Sequence, residues 1–271
     1  MVKKLPQVFS YPDTDTLSSC LGAYILKLRD TALQRHGHPK FRVAISGGSL
    51  PAALVKDPEA LLLNPHTKWS QWEVFFADER AVPLDHPDSN YLLFKETILD
   101  KLPSGRHHEK PTVYPIDDSF LEAGDEKGVT QEIADAYEQT LIKCFAAKDS
   151  VKVPIFDLIL LGAGPDGHTA SLFPEHELLR EDSAWVAPIE DAPKPPSRRI
   201  TLTLPVLTHA NHVVFVAMGE GKREVLKKVF EMPEEGLPCS LVNVQAGGDK
   251  VAWFVDDKAI EGVQGYVKGA L

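Results

Sequence analysis

The chain lacks any hydrophobic run near the ~18 residues that a membrane-spanning helix requires; its longest apolar stretches, such as "VVFVAM" from Val213, are strand-sized. The opening "MVKKLPQVFSYPD" has two lysines but no apolar segment behind them, and Pro6 and Pro12 interrupt it, so no secretory signal is expected. The closing "VKGAL" matches no retention or peroxisomal tag. Cysteine is scarce. Cys20, Cys144 and Cys239 are an odd number, widely spaced, without metal-ligand spacing, which excludes a disulfide framework and suits buried free thiols in a reducing compartment, the cytosol by default. Basic residues are outnumbered 29 to 39 by acids, a net charge of -10 that disfavours nonspecific nucleic-acid binding. Close histidine spacings of the H-E-x-x-H kind are missing, and the adjacent His107 and His108 read as surface. No fixed-period repeat and no obligate protein partner is evident.

What is present is an ordinary globular composition, 43% hydrophobic and 25% charged over 271 residues, enough for one large domain or two smaller ones. Leu17, Leu21, Ile25, Leu28 and Ala32 recur at helical spacing, with Asp15 or Thr16 as N-cap and Gly37 as stop. Short apolar runs follow, each ending in polar or glycine-rich loops: "FRVAI" at 41–45, "EVFFA" at 73–77, "FDLILL" at 156–161 and "HVVFVAM" at 212–218. Helical patterns separate them, from Asn90 with Ser89 as cap, from Val129 and from Lys222. Strands alternating with helices imply a mostly parallel sheet covered on both faces. Later, "RITLTLP" and "KVAWFVD" read as further strands, the former behind a stiff loop carrying Pro188, Pro193, Pro195 and Pro196. From Asp117 to Glu138 eight acids face one lysine, Lys127, and read as a solvated loop and helix face. We expect a single catalytic domain over 1–271; residues 100–150 leave room for a small subsidiary lobe.

Gly162, Gly164 and Gly167 fall in a G-x-G-x-x-G register directly after an apolar run. A dinucleotide site would need a full helix after the third glycine, then a strand ending in an acid that holds the ribose. Pro174 leaves barely two turns for that helix, and Asp182 precedes rather than ends the strand "AWVAP". The glycines instead frame Asp166, His168, Thr169 and Ser171 at the carboxyl end of a strand, where open parallel sheets bind ligands. A histidine there is largely neutral near pH 7 and can take a proton from water; the lesser alternative, for the motif alone, is that His168 caps the short helix after it.

Three other strand ends carry related chemistry. "SGGS" places Ser46, Gly47, Gly48 and Ser49 before a helix with Pro51 in its first turn, a backbone anion cradle if it is more than a tight turn. Asp78, Glu79 and Arg80 follow the second strand; Arg80 can hold a phosphate through paired N–H groups or form a surface ion pair with its acidic neighbours. Gly219, Gly221, Lys222 and Arg223 follow another, and a lysine at a helix start suits a bound anion. Together the loops ask for a small phosphorylated ligand with a histidine beside its reactive carbon. A serine nucleophile fits less well, because "SGGS" is not the G-x-S-x-G elbow.

In "SGGS", "FFADERAVPLDHPDSNY", "FDLILLGAGPDGHTASLFP", "RRITLTLPVL" and "GEGKREVL", taken in order, the chain resembles the 6-phosphogluconolactonase family, within the superfamily of glucosamine-6-phosphate deaminase and ribose-5-phosphate isomerase. The resemblance implies an α/β, Rossmann-like three-layer sandwich, no metal or organic cofactor, and hydrolysis of 6-phospho-D-glucono-1,5-lactone in the oxidative pentose phosphate pathway. It implies His168 as general base, with Asp78 and Asp166 shaping the pocket or orienting water and histidine. The "SGGS" loop, Arg80 and Lys222 are the implied phosphate site; Asn90 and Arg199 are similar to substrate-side positions, beside the loop glycines Gly164 and Gly167. Chemistry does not separate Arg198 from Arg199, or Lys222 from Arg223. An amino-sugar phosphate deaminase or isomerase and a noncatalytic sugar-phosphate sensor are the competing readings.

Overall fold

The structure, a computed structural model, describes residues 5–35, 39–103, 110–123, 128–145 and 152–270. Gly37, the histidine pair at 107–108 and Lys127 lie outside the described residues. Strands β1 (Gln7–Tyr11), β2 (Phe41–Ile45), β3 (Trp72–Phe76), β5 (Thr112–Val113), β6 (Leu158–Gly162), β9 (Val213–Ala217), β10 (Val251–Asp256) and β11 (Val267–Lys268) form one sheet in the order β11-β1-β10-β9-β6-β2-β3-β5. Its pairings are all parallel.

Such a sheet must bury both faces, and the strand sequences show how. In β2, Phe41, Val43 and Ile45 join one core while Ala44 joins the other; in β6, Leu158 and Leu160 oppose Ile159 and Leu161; in β9, Val214 and Val216 oppose Val213 and Phe215. One face is covered by α1 (Thr14–Gln34), α2 (Leu50–Leu54) and α3 (Asn90–Thr97), through residues such as Leu17, Leu21, Ile25, Leu50 and Phe94. The opposite face is covered by α4 (Val129–Phe145), α5 (Leu204–His209), α6 (Arg223–Glu231), α7 (Pro238–Gln245) and α8 (Asp257–Ile260). The result is a three-layer α/β sandwich.

Strands β4 (Asp78–Arg80), β7 (Val186–Ile189) and β8 (Arg199–Leu202) form a separate antiparallel sheet in the order β4-β8-β7. The strands expected in "RITLTLP" and "AWVAP" are therefore present at Arg199–Leu202 and Val186–Ile189, but outside the parallel sheet, and Leu204 and Pro205 already belong to α5. The alternate strand residues Val186, Ile200 and Leu202 still enter a main core.

Local details differ from the sequence reading in four places. Pro188, expected in the stiff loop, stands in β7 opposite Ile200, where an edge strand tolerates a proline. Asp13, not Asp15 or Thr16, caps α1, its carboxylate accepting from Thr16 N at 2.7 Å. Ser89 does cap α3, accepting from Leu92 N at 3.2 Å. The acid-rich stretch is not wholly solvated: Glu138 Oε2 accepts from Trp185 N and Val186 N at 2.7 and 3.0 Å, tying β7 to α4, and Asp118 accepts from Leu84 N at 2.9 Å. Of the three free thiols only Cys239 is buried; Cys20 and Cys144 are half-buried, each seated beside a tyrosine.

Tyr137 of α4 links the second layer to the end of β3. Its hydroxyl accepts from Phe76 N at 2.7 Å and donates to Tyr114 O at 3.2 Å, with the side chain 2% exposed. Tyr137→Phe leaves the Phe76 N–H buried without an acceptor and is expected to cost about 1–3 kcal/mol. Urea denaturation checks this as a lower midpoint at unchanged slope.

Candidate active site

Parallel pairing sets where the loops emerge. Ile45 stands opposite Phe76 and Leu160, and Gly162 opposite Val216, so β2, β3, β6 and β9 end at one edge. The loops that follow enclose a cavity of about 210 Å³ lined by Ser46, Gly47, Gly48, Ser49, Asp78, Arg80, Asn90, Gly164, His168, Arg199 and Lys222, with Gly162, Ala163, Pro165, Ala170 and Val216 between them. The loops expected to share one rim do share it.

Asp78 organises the floor. It is 5% exposed, and Oδ1 accepts from Ser46 Oγ at 3.1 Å while Oδ2 accepts from Ser171 Oγ at 2.8 Å. With its proton on Asp78, Ser46 offers lone pairs rather than a donor to the cavity. Asn90 is 3% exposed; its Nδ2 donates to Asp78 O at 2.8 Å, and its Oδ1 sits where a side chain on Gly47 would begin. Gly47 is required for that close approach. Ser49 caps α2 by position but makes no side-chain cap bond, and α2 has only five residues, so a helix dipole adds little at this loop.

Three cations also line the cavity, Arg80, Arg199 and Lys222. The antiparallel register sets Arg80 directly across from Arg199. Arg199 is 3% exposed, with Nε and Nη2 donating to Pro196 O and Lys194 O at 2.8 and 2.7 Å, and Nη1 near Ser171 Oγ at 3.4 Å. Burial, with Arg80 alongside, holds its guanidinium below the usual arginine range. Arg80 donates to Asp88 O at 2.9 Å, and its buried Nε has no hydrogen-bond partner among the described residues. Two like charges brought together and partly dried favour an anion between them. Lys222 reaches Ala163 O at 2.6 Å, and burial lowers its pKa. It stands in a turn before α6, where the carbonyl of Ala163 offsets its place near a helix start. Arg223 turns away to Glu261 at 2.6 Å, and Arg198 does not line the cavity; Lys222 and Arg199 are the members of each pair that face it.

His168 forms the remaining wall. Its Nδ1 contacts Asp166 Oδ1, and its ring lies on Phe173 at 4.9 Å between centroids. Burial pushes the imidazole pKa below its ordinary value, overcoming the opposing pull of Asp166. Burial would raise Asp166, but the hydrogen bond and charge of His168, with Lys194, outweigh it and leave the carboxyl below the usual range. An ionised Asp166 accepts only, so neutral His168 carries its proton on Nδ1 and presents a lone pair on Nε2. Asp166 and Gly167 do not line the cavity: Asp166, exposed, contacts the ring from outside it, and Gly167 O accepts from Cys239 N at 3.1 Å.

Sequence reasoning passed over Lys194, whose Nζ lies 3.6 Å from Asp166 Oδ2, and Phe173 beneath the imidazole. A lysine among prolines and a phenylalanine before a proline carry no distinguishing signal. Glu79, one of the two acidic neighbours in the alternative surface ion pair for Arg80, is fully buried on the far side of β4. Among the described residues, no group of three or more His, Cys, Asp or Glu side chains is placed to hold a metal ion.

A parallel three-layer fold with cations and an Asp–His pair at its carboxyl edge defines an α/β enzyme that acts on small anionic substrates. Residues 12–253 match the family model described as glucosamine-6-phosphate isomerases/6-phosphogluconolactonase, and the chain belongs to that family. It is 46% identical over 259 residues to a probable 6-phosphogluconolactonase of Schizosaccharomyces pombe, covering 93% of this chain and 94% of that protein. Identity to the 6-phosphogluconolactonase of Rattus norvegicus is 40% over 259 residues, 94% of this chain and 92% of the relative. The solved 6-phosphogluconolactonase of Trypanosoma cruzi superposes with a TM-score of 0.77 at 27% identity, over 97% of this chain and 98% of that one.

A Cβ on Gly164 would overlap the His168 ring. Gly164→Ala is therefore expected to displace the imidazole and lower kcat by about 10²-fold. Steady-state kinetics beside an unchanged circular dichroism spectrum check this.

Proposed function

We propose that the protein hydrolyses 6-phospho-D-glucono-1,5-lactone to 6-phosphogluconate, the second step of the oxidative pentose phosphate pathway, as a single cytoplasmic catalytic domain. The observation that carries this reading is a histidine kept neutral by burial and oriented by Asp166, facing a cavity whose other walls hold Arg80, Arg199 and Lys222. The names of the relatives support the same reaction. No helix among the described residues is long and apolar enough to cross a membrane.

The cations and the "SGGS" amides hold the phosphate, which fixes the sugar and leaves the lactone carbonyl beside His168. Nε2 removes a proton from water as the water oxygen bonds to C1, and the carbonyl π electrons move to oxygen. Loop N–H groups or a cavity cation meet that oxyanion. As the carbonyl reforms, the C1–O5 bond breaks, and the imidazolium returns its proton to O5. The new carboxylic acid then loses its proton to solvent. Asp166 stabilises the imidazolium between the two transfers, while Asp78 and Asn90 keep the floor in shape.

The test is an assay of acid release that subtracts spontaneous lactone hydrolysis, with product NMR from lactone and from glucosamine 6-phosphate in parallel. His168→Ala is expected to lower turnover by about 10²–10⁴-fold; retention of near-native activity, or ammonia release from the amino sugar, would overturn the reading.

The pH dependence has a definite sign. The base works in its neutral form, and the His168 pKa is depressed, so kcat should stay level down through neutral pH. It should fall only as pH drops below the ordinary histidine value near 6.5. A kcat profile with its midpoint above that value would contradict the assignment.

A further inference from the structure

Glu79 is fully buried, and the hydrolysis above gives its carboxylate no task. Alternation along β4 turns Asp78 and Arg80 to the cavity and Glu79 to the opposite side. There Oε1 accepts from Arg80 N at 2.8 Å and Asn90 N at 2.7 Å, and Oε2 from Tyr91 N at 2.8 Å and Ser89 Oγ at 3.3 Å. A carboxylate has about four lone-pair sites, and four donors occupy them. Glu79 thus has nothing left to offer a substrate. Its donors are the backbones of two cavity residues, Arg80 and Asn90, and the two residues flanking Asn90.

We propose that Glu79 is a positioning residue for substrate binding, a buried carboxylate that clamps the end of β4 to the start of α3 and so sets Arg80 and Asn90 at their spacing across the cavity. Two further ties close the same junction, Asn90 Nδ2 to Asp78 O at 2.8 Å and Arg80 Nη1 to Asp88 O at 2.9 Å, and both depend on the backbones that Glu79 holds. Asn90 in turn packs against Gly47, which carries the clamp's effect to the "SGGS" loop. Residues 81–89 connect β4 to α3 and are tied to neighbouring segments at Ala81 and Leu84, and among the described residues Glu79 is the one side chain that holds the backbones of both Arg80 and Asn90. Burial pushes the Glu79 carboxyl up to about 7, while the backbone N–H groups of Asn90, Tyr91 and Arg80 pull the other way. The four donors seated on this carboxyl, three of them backbone N–H groups, are what fix its place between β4 and α3.

The inference rests on the lactonase reading for its substrate, and the experiment separates the two. Glu79→Gln turns an amide N–H₂ toward backbone donors; it is expected to raise KM about tenfold with kcat within about threefold, because the His168 wall is untouched. Glu79→Asp keeps the charge on a shorter arm and should raise KM less. In an Arg80→Ala/Asn90→Ala background the same substitution should change KM by less than about twofold, since residues acting through one another are not additive. Calorimetry with 6-phosphogluconate reads the same comparison without turnover. If Glu79→Gln does not fold, Glu79→Asp carries the comparison by itself. A fall in kcat at constant KM, or an undiminished effect in the double-variant background, overturns the positioning role. A wild-type protein that binds 6-phosphogluconate but does not accelerate lactone opening overturns the lactonase reading and leaves the clamp to be judged by binding.

Discussion

Everything in this site depends on parallel pairing at one sheet edge. Because β2, β3, β6 and β9 run the same way in aligned register, each hands its following loop to the same rim, and residues more than a hundred positions apart in sequence meet there. A parallel sheet is stable only if both faces are dry, which the alternating Phe, Val, Ile and Leu of these strands secure by feeding two separate cores. The catalytic edge is thus a by-product of burial elsewhere. Tyr137 and Glu138, adjacent on α4, anchor the two sheets to that helix through backbone N–H groups of β3 and β7, so the rim is braced from the layer beneath.

The small antiparallel sheet adds what the large one lacks. Arginines on an ordinary surface stay apart and hydrated; here the β4–β8 register forces Arg80 and Arg199 side by side, with Arg199 buried against Phe173 and the carbonyls of residues 194 and 196. A protein of net charge -10 therefore concentrates positive potential in one place. Asp78 and Asp166 keep it from being uniformly positive, each held to neighbours that give it a defined orientation: hydroxyls for Asp78, the imidazole for Asp166.

Much of this was legible from residues alone. The strand cores at 41–45 and 251–256, the Ser89 cap and the four loop motifs follow from periodicity and from residue types with few other uses, and the cavity gathers them as expected. What was not legible had no local signal. Asp13 replaced Asp15 as the α1 cap because capping depends on where the backbone turns, and several acids stand near that turn. "RITLTLP" looks like any buried strand, and only its partners decide which sheet it joins. Glu79 looks like its acidic neighbours until strand alternation and the position of α3 enclose it.

The amino-acid sequence by itself determined the layered α/β class, the alternation of the main strands and helices and the chemical character of each loop, because those follow from short-range pattern and residue chemistry. Tertiary structure decided which of Arg198 and Arg199 and which of Lys222 and Arg223 lines the cavity, which nitrogen of His168 faces Asp166, and which carboxylates are buried. Those outcomes depend on contacts between segments far apart in the chain, where register, desolvation and a missing Cβ at Gly47 or Gly164 set distances that no local pattern encodes.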